Sequence, residues 1–173
     1  MKIKTPLLFL AILVFISMVV NSCKKDNSGS IQTLFTNGTW QLATVMVFNY
    51  VGSSQVGSAD TLNTTCDTTQ YFTFNSNNTC TYTNFDCITQ PKASGTWSLS
   101  SDQRFLMADM TCQDTITGSK PSTGKPFAYA QIYNLGQYSM VLQTGDIATY
   151  YTSTTKRTII QYGFVRQSAP SGN

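Results

Sequence analysis

Few side chains in this chain are capable of acid–base or nucleophilic chemistry, because its 173 residues include no histidine and no glutamate. Without histidine, a Ser-His-Asp triad, a Cys-His pair and a histidine metal ligand are all excluded. Two aspartate pairs are close in sequence, Asp60 with Asp67 and Asp109 with Asp114, but both lie in or beside polar loops without a supporting motif. Including Asp102 gives no match to a calcium-binding loop. We therefore expect no enzymatic activity, metal or cofactor.

Four of the five cysteines lie in the body of the chain: Cys66, Cys80, Cys87 and Cys112. They form no Cys-x-x-Cys pair, so neither a zinc site nor a redox motif is indicated. In an exported chain such thiols pair as disulfides, and four cysteines allow three connectivities. If a hairpin turn centres near Asn77, Cys66 and Cys87 fall opposite each other, and we predict that they are joined. The same reasoning does not fix whether Cys80 pairs with Cys112.

The fifth cysteine, Cys23, ends an N-terminal segment with the features of a secretory signal. Lys2 and Lys4 precede an apolar run of 14 residues from Leu7 to Val20, as in the charged and apolar regions of a signal peptide. The run is too short for a permanent transmembrane helix, which needs about 20 apolar residues. Val20-Asn21-Ser22-Cys23 resembles a bacterial lipobox. This resemblance implies cleavage before Cys23 and attachment of fatty acyl chains, such as palmitate, to that cysteine.

The predicted organisation has three parts: a lipoprotein signal peptide over residues 1–22, a lipidated cysteine with a flexible tether over 23–30, and one folded domain over 31–173. Two or more acyl chains attach a protein stably to a membrane. The polar stretch from Lys24 to Ser30 has the composition of a flexible linker. We expect a lipoprotein of the outer membrane, facing the periplasm or the cell surface.

The domain that starts at residue 31 is electrically neutral, with seven basic and seven acidic side chains. It therefore lacks the basic stripe that follows a phosphate backbone, which excludes a nucleic-acid partner. Its composition is rich in Thr, Ser, Asn, Tyr and Phe, which favours strands over helices. The sequence does not identify a protein partner.

Eight segments of β-forming composition, bounded by Gly, Asn, Asp, Pro and Ser clusters, predict an all-β antiparallel fold. They span residues 39–50, 69–75, 79–86, 94–100, 104–112, 127–135, 138–144 and 158–166. Phe72 and Phe74, like Trp97 and Leu99, are separated by one small polar residue, which is typical of half-buried strands. Long polar loops over 49–69 and 113–125 interrupt the pattern, and loops of that length are usually functional or mobile.

Several short motifs resemble the lipocalin-like domain of Bacteroidetes lipoproteins. They are Gly38-Thr39-Trp40, Tyr71-Phe72-Thr73-Phe74-Asn75 with Thr81-Tyr82-Thr83, Gly95-Thr96-Trp97-Ser98-Leu99 and the start Ser22-Cys23-Lys24-Lys25-Asp26. The resemblance implies an eight-stranded up-and-down barrel, closed at one end and able to hold a small apolar ligand at the other. It also implies that Trp40 packs near the closed end against Arg166, a basic residue late in the last strand.

Two functions are compatible with this reading. In the first, a membrane-anchored barrel binds a small apolar ligand, with Phe72, Phe74, Tyr82 and Trp97 as candidate lining residues. In the second, the barrel is a non-enzymatic adhesion or assembly module that uses its outer surface and loops. The two differ in whether the barrel is hollow, since a small eight-stranded barrel can also be filled by its own side chains.

Three segments resemble the Asp-(Ser/Thr)-apolar-or-Thr pattern for O-glycosylation in exported Bacteroidetes proteins. They are Asp60-Thr61-Leu62, Asp67-Thr68-Thr69 and Asp114-Thr115-Ile116. All three lie in or at the edge of the long loops, where a transferase reaches its acceptor without disturbing a core. We therefore expect glycans on Thr61, Thr68 or Thr115.

Overall fold

The computed structural model describes residues 28–62, 66–114 and 122–167. Within these residues there is one α-helix, α1 (Ser28–Thr36), and one short 3-10 helix (Phe85–Cys87). The strands are β1 (Thr39–Val51), β2 (Ser54–Gln55), β3 (Asp60–Thr61), β4 (Tyr71–Phe74), β5 (Thr79–Tyr82), β6 (Ala93–Leu99), β7 (Phe105–Ala108), β8 (Cys112–Asp114), β9 (Ser122–Gly124), β10 (Ala130–Leu135), β11 (Ser139–Gly145) and β12 (Lys156–Gln167). The signal peptide and Cys23 lie outside the described residues.

Eight of these strands form a closed antiparallel barrel. In sequence order β1, β4, β5, β6, β7, β10, β11 and β12 each pair with the next, and β12 pairs with β1 from Val51↔Lys156 to Thr39↔Gln167. Each lies within or overlaps one of the eight segments predicted from the sequence, so the eight-stranded up-and-down barrel is confirmed. Closure removes the exposed strand edges that an open sheet would present.

The remaining strands are short additions to the barrel. β2 and β3 pair with β1, and β8 pairs with β9 in a separate hairpin inserted between β7 and β10. The predicted loops over 49–69 and 113–125 thus contain some regular pairing. The strand predicted over 104–112 is too long, because β7 ends at Ala108 and Cys112 already belongs to β8.

The strand predicted over 79–86 also ends early, because the backbone turns after Tyr82. Asn84 and Asp86 both have positive φ, 52° and 54°. This left-handed conformation is incompatible with an extended strand. Phe85 lies between them in the short 3-10 helix and is buried. The turn therefore directs an aromatic ring back toward the barrel interior.

Helix α1 was not predicted, because Ser, Gly and Thr make up most of the rest of its sequence and only Gln32 and Leu34 are strong helix formers. Tertiary contacts hold it: Phe35 is fully buried and packs edge-on against Phe74, with ring centroids 4.9 Å apart. The spacing of Ile31, Leu34 and Phe35 is the signal that predicts one apolar helical face. No helix in the described residues is long and apolar enough to cross a membrane.

Gly-Thr-Trp occurs twice in the chain, and its glycine is needed for a different reason each time. Gly38 has φ of 115°, a conformation that residues with a Cβ rarely adopt. Gly95 has ordinary φ, but a Cβ there would collide with the Asp109 carboxylate and lie 2.8 Å from Cα of Met110. The two tryptophans that follow, Trp40 and Trp97, both belong to the single buried core.

Candidate functional site

The barrel lumen is filled with aromatic side chains. Phe72 is fully buried at its centre, and its ring centroid lies 4.0 Å from that of Phe74, 5.2 Å from Tyr82 and 5.0 Å from Phe127. Phe164 completes this group at 6.1 Å from Phe72. Such contacts have the density of a protein core, where few voids exceed a water molecule. In this conformation the lumen is a hydrophobic core.

All four candidate lining residues point into this core. Phe72, Phe74, Tyr82 and Trp97 are at most 3% exposed and contact other rings of the lumen. The sequence analysis placed Phe127 at the start of the strand predicted over 127–135 but did not name it as a lining residue. In the structure it precedes β10 and is fully buried. Its backbone carbonyl accepts from Ala108 N at 2.8 Å, which fixes that segment against β7.

The closed end of the barrel is the end at which Trp40, Arg166 and α1 meet. The Arg166 guanidinium carbon lies 4.5 Å from the centroid of the Trp40 ring. Trp40 Nε1 donates to the carbonyl of Phe35 at 3.0 Å, and Arg166 donates to the carbonyl of Leu34. Trp40 and Arg166 therefore satisfy carbonyls in the last turn of the helix, which is a structural task.

The mouth is the opposite end, formed by the Phe85–Cys87 turn and the Cys66–Cys87 disulfide. The two Cα atoms of that disulfide are 5.4 Å apart. The predicted Cys66–Cys87 pairing is confirmed. Gln70 Nε2 donates to both sulfurs, at 3.5 Å and 3.4 Å, and Gln70 Oε1 accepts from Tyr82 Oη at 3.2 Å. A polar network thus connects the disulfide to a lumen side chain.

Phe85 closes the mouth beneath this network. Its side chain is 2% exposed, and its ring lies 5.3 Å from Tyr82 and 6.3 Å from Tyr162. Beside it lies a cavity of about 10 Å³, lined by Val45, Leu62, Gln70, Phe85, Asp86, Cys87 and Tyr162. That volume holds one water molecule. A ligand that enters the lumen from this end must displace Phe85.

The sequence left open whether Cys80 pairs with Cys112. In the structure both cysteines are buried and no disulfide joins them. Cys80 lies on β5 opposite Gly95, toward the closed end, and its Sγ is 3.6 Å from the carbonyl of Thr96. Cys112 begins the β8–β9 hairpin, outside the barrel strands. Burial, together with the negative charge of Asp109, raises the pKa of the Cys80 thiol to about 11.

Asp102 and Asp109 stabilise a turn and a strand end through hydrogen bonds. Asp109 Oδ1 accepts from Thr96 N at 2.6 Å, and Asp102 Oδ1 accepts from Ser100 Oγ at 2.6 Å. These hydrogen bonds lower the pKa of both carboxyls. Within the described ranges no three His, Cys, Asp or Glu side chains converge on a metal position.

The candidate glycosylation sites differ in accessibility. Thr61 is exposed on the short strand β3, whereas Thr68 is half-buried beside Cys66. Thr115 lies outside the described residues. Of the two candidate sites that the structure describes, Thr61 is the more exposed.

The outside of the barrel carries an ordered row of side chains. The row lies on the outer wall, which is the outward face of β7, β10, β11, β12 and β1. The strand registers align the row across the five strands in the order Phe105, Gln131, Gln143, Gln161 and Met46. Gln143 Nε2 donates to Gln161 Oε1 at 3.0 Å. Phe105 stacks on Tyr129 with centroids 4.5 Å apart and planes 15° apart. The sequence analysis did not identify this row, because register is needed to align it.

Comparison with known proteins identifies the family. The lipocalin-like domain model matches residues 36–162, so the chain belongs to the lipocalin-like domain family. A DUF4847 family protein from Bacteroides vulgatus, known from its crystal structure, is 15% identical in sequence. The match covers 80% of this chain and 99% of that one, with a TM-score of 0.44. No curated protein matches the chain.

Proposed function

We propose that this chain is a membrane-anchored, non-enzymatic binding module of the cell envelope that recognises its partner through its outer surface. The observation that carries the proposal is the filled lumen, in which Phe72, Phe127 and Leu106 have no exposed surface. With the interior occupied, the surface available for recognition lies outside. Lipocalin-like proteins are generally binding proteins rather than enzymes, which supports a binding role.

The anchor in this proposal is lipid on Cys23. It is supported by the charged and apolar signal segment and by the lipobox-like Val20-Asn21-Ser22-Cys23. A Cys23→Ala variant is expected to lose processing at residue 23 and incorporation of labelled fatty acid. Continued acylation of that variant would contradict the anchor without bearing on the binding surface.

Exposed tyrosines support recognition at the outer surface. Tyr129, Tyr133 and Tyr138 are 52%, 65% and 70% exposed. Tyrosine combines a large apolar ring with a hydroxyl that bonds to water or to a partner, so it is frequent in binding surfaces.

Native mass spectrometry of protein extracted from its own host tests the proposal. We expect the mass of the lipidated polypeptide, with covalent modifications if present, and no copurified small molecule. A stoichiometric apolar molecule released by mild denaturation would place the ligand in the lumen and overturn use of the outer surface as the main mode.

A second candidate is binding of a small apolar ligand at the mouth, as the lipocalin-like fold suggests. One observation favours it: the mouth is closed by Phe85, which is carried by an irregular turn and not by a barrel strand. A ligand that replaces this ring recovers the buried apolar surface. Phe85→Ala is then expected to bind an environment-sensitive apolar dye more tightly than the parent chain, and equal binding would count against this mode.

A further inference from the structure

The outer wall carries no charge over its central area. Among the outward positions of β10, β11 and the β12 segment from Ile159 to Val165 there is no Asp, Lys or Arg. The buried residues on the same strands, such as Met140 and Leu142, alternate with these positions and show which face points outward. A charged ligand therefore gains no ion pair here, so the wall is complementary to a neutral one.

The polar groups of the wall are side-chain amides in register. Gln131 is opposite Gln143, and Gln143 is opposite Gln161, so three amides lie side by side on neighbouring strands. All three are partly exposed. Each amide both donates and accepts hydrogen bonds. A hydroxyl group also does both, so the row matches a ligand rich in hydroxyls.

Aromatic rings flank the amides on the β7 and β10 side. Tyr129 is held against Phe105 by near-parallel stacking and remains 52% exposed. Tyr133 lies at the irregularity between Ile132 and Asn134 and is 65% exposed. Exposed aromatic faces pack against the C–H faces of sugar rings, and stacking on Phe105 orders Tyr129 before a ligand arrives.

We propose that the outer wall binds a neutral polysaccharide chain, with Tyr129 and Tyr133 stacking on sugar rings and Gln131, Gln143 and Gln161 bonding to hydroxyls. The inference rests on the proposed use of the outer surface and specifies its ligand. The five strands of the row extend over about 19 Å, since neighbouring strands lie about 4.8 Å apart. That width accommodates several consecutive sugar units of an extended chain.

The test is retardation in affinity gels that contain dextran, mannan, xylan or galactan, with heparin as a charged polysaccharide. We expect at least one neutral polysaccharide to retard the chain and heparin to have no effect. Tyr129→Ala, Tyr133→Ala and the near-isosteric Gln143→Glu are each expected to weaken binding by about three- to tenfold. Tyr150→Ala removes a tyrosine outside the wall that is 95% exposed and is the control, with no expected change.

Thermal unfolding of every variant shows whether its fold is retained. Absence of retardation by all four neutral polysaccharides, or binding that survives all three wall substitutions, overturns the inference. A second measurement compares how the parent chain and Gln143→Glu bind to host cell-surface material. It shows whether the proposed use of the outer surface fails or only the proposed polysaccharide ligand. If Gln143→Glu weakens that binding and no neutral polysaccharide is bound, the outer surface is used but its ligand is not a glycan. If Gln143→Glu has no effect and a small molecule copurifies, both proposals fail.

Discussion

The guanidinium of Arg166 covers the ring of Trp40 at 4.5 Å, and both side chains donate to carbonyls of α1. The pair joins the first strand, the last strand and the helix at the closed end of the barrel. Because both side chains are committed to this joint, their arrangement requires no ligand.

Replacement of Arg166 by alanine is expected to lower the free energy of unfolding by about 1–3 kcal/mol, because a cation–π contact and a charge-assisted hydrogen bond are lost together. Urea denaturation measures the change. Arg104→Ala is the control, because Arg104 is an exposed arginine outside this joint. Equal losses for the two variants would contradict a specific role for the Trp40–Arg166 pair.

The Cys66–Cys87 disulfide is expected to stabilise the fold by about 2–4 kcal/mol. It connects positions 21 residues apart in sequence and holds the mouth turn that carries Phe85. A reductant should therefore lower the urea midpoint of the parent chain. It should leave the Cys66→Ala/Cys87→Ala double variant unchanged. A peptide map under non-reducing conditions that shows Cys66 joined to Cys80 or Cys112 would refute the pairing.

The Cys80 thiol is expected to resist alkylation in the folded protein. Its pKa is raised from 9.0 to about 11, so at pH 8 its thiolate is about a hundredfold rarer than that of an ordinary cysteine. The side chain is also fully buried. Mass spectrometry after iodoacetamide treatment should show Cys80 modified only once denaturant is added. Modification at pH 8 at the rate of a free cysteine would contradict this environment.

Local sequence patterns were sufficient to predict the barrel strands. The alternation of Phe72 with Phe74 gives the face that each strand buries. The β4–β5 hairpin brings the segments that carry Cys66 and Cys87 to the same end of the barrel. Both depend on residues close in sequence. Local pattern can therefore give strand number, strand direction and one disulfide.

Features that depend on distant residues were not predictable in this way. Helix α1 exists because Phe35 reaches Phe74, and the mouth is closed because Phe85 follows a residue of positive φ. Whether the lumen is hollow depends on the summed volume of rings from several strands and a loop, including Phe127. The glutamine row of the outer wall likewise requires the registers of five strands.

The Asp109 carboxylate is expected to make stability sensitive to acid. Its hydrogen bond from Thr96 N is the main reason that its pKa lies below the usual 3.8, with a smaller contribution from Lys125. A lowered pKa in the folded state gives stability that is present above pH 3.8 and is lost as the pH falls through the folded-state value. The melting temperature of Asp109→Asn should therefore fall less than that of the parent chain between pH 6 and pH 3. Parallel curves would exclude this contribution.

Glycosylation is expected at Thr61 in preference to Thr68. Both follow an aspartate in segments that resemble the acceptor pattern, but Thr61 is exposed on β3, whereas Thr68 is half-buried next to the Cys66–Cys87 disulfide. A transferase must reach the hydroxyl, so the exposed residue is the better acceptor after folding. The intact mass of protein from its native host should be smaller by one glycan in Thr61→Ala. Glycopeptide mapping of the parent chain should find Thr68 unmodified. The triple variant Thr61, Thr68 and Thr115→Ala provides the unmodified reference mass. If the parent chain also has the mass of the lipidated polypeptide alone, these loops carry no glycan.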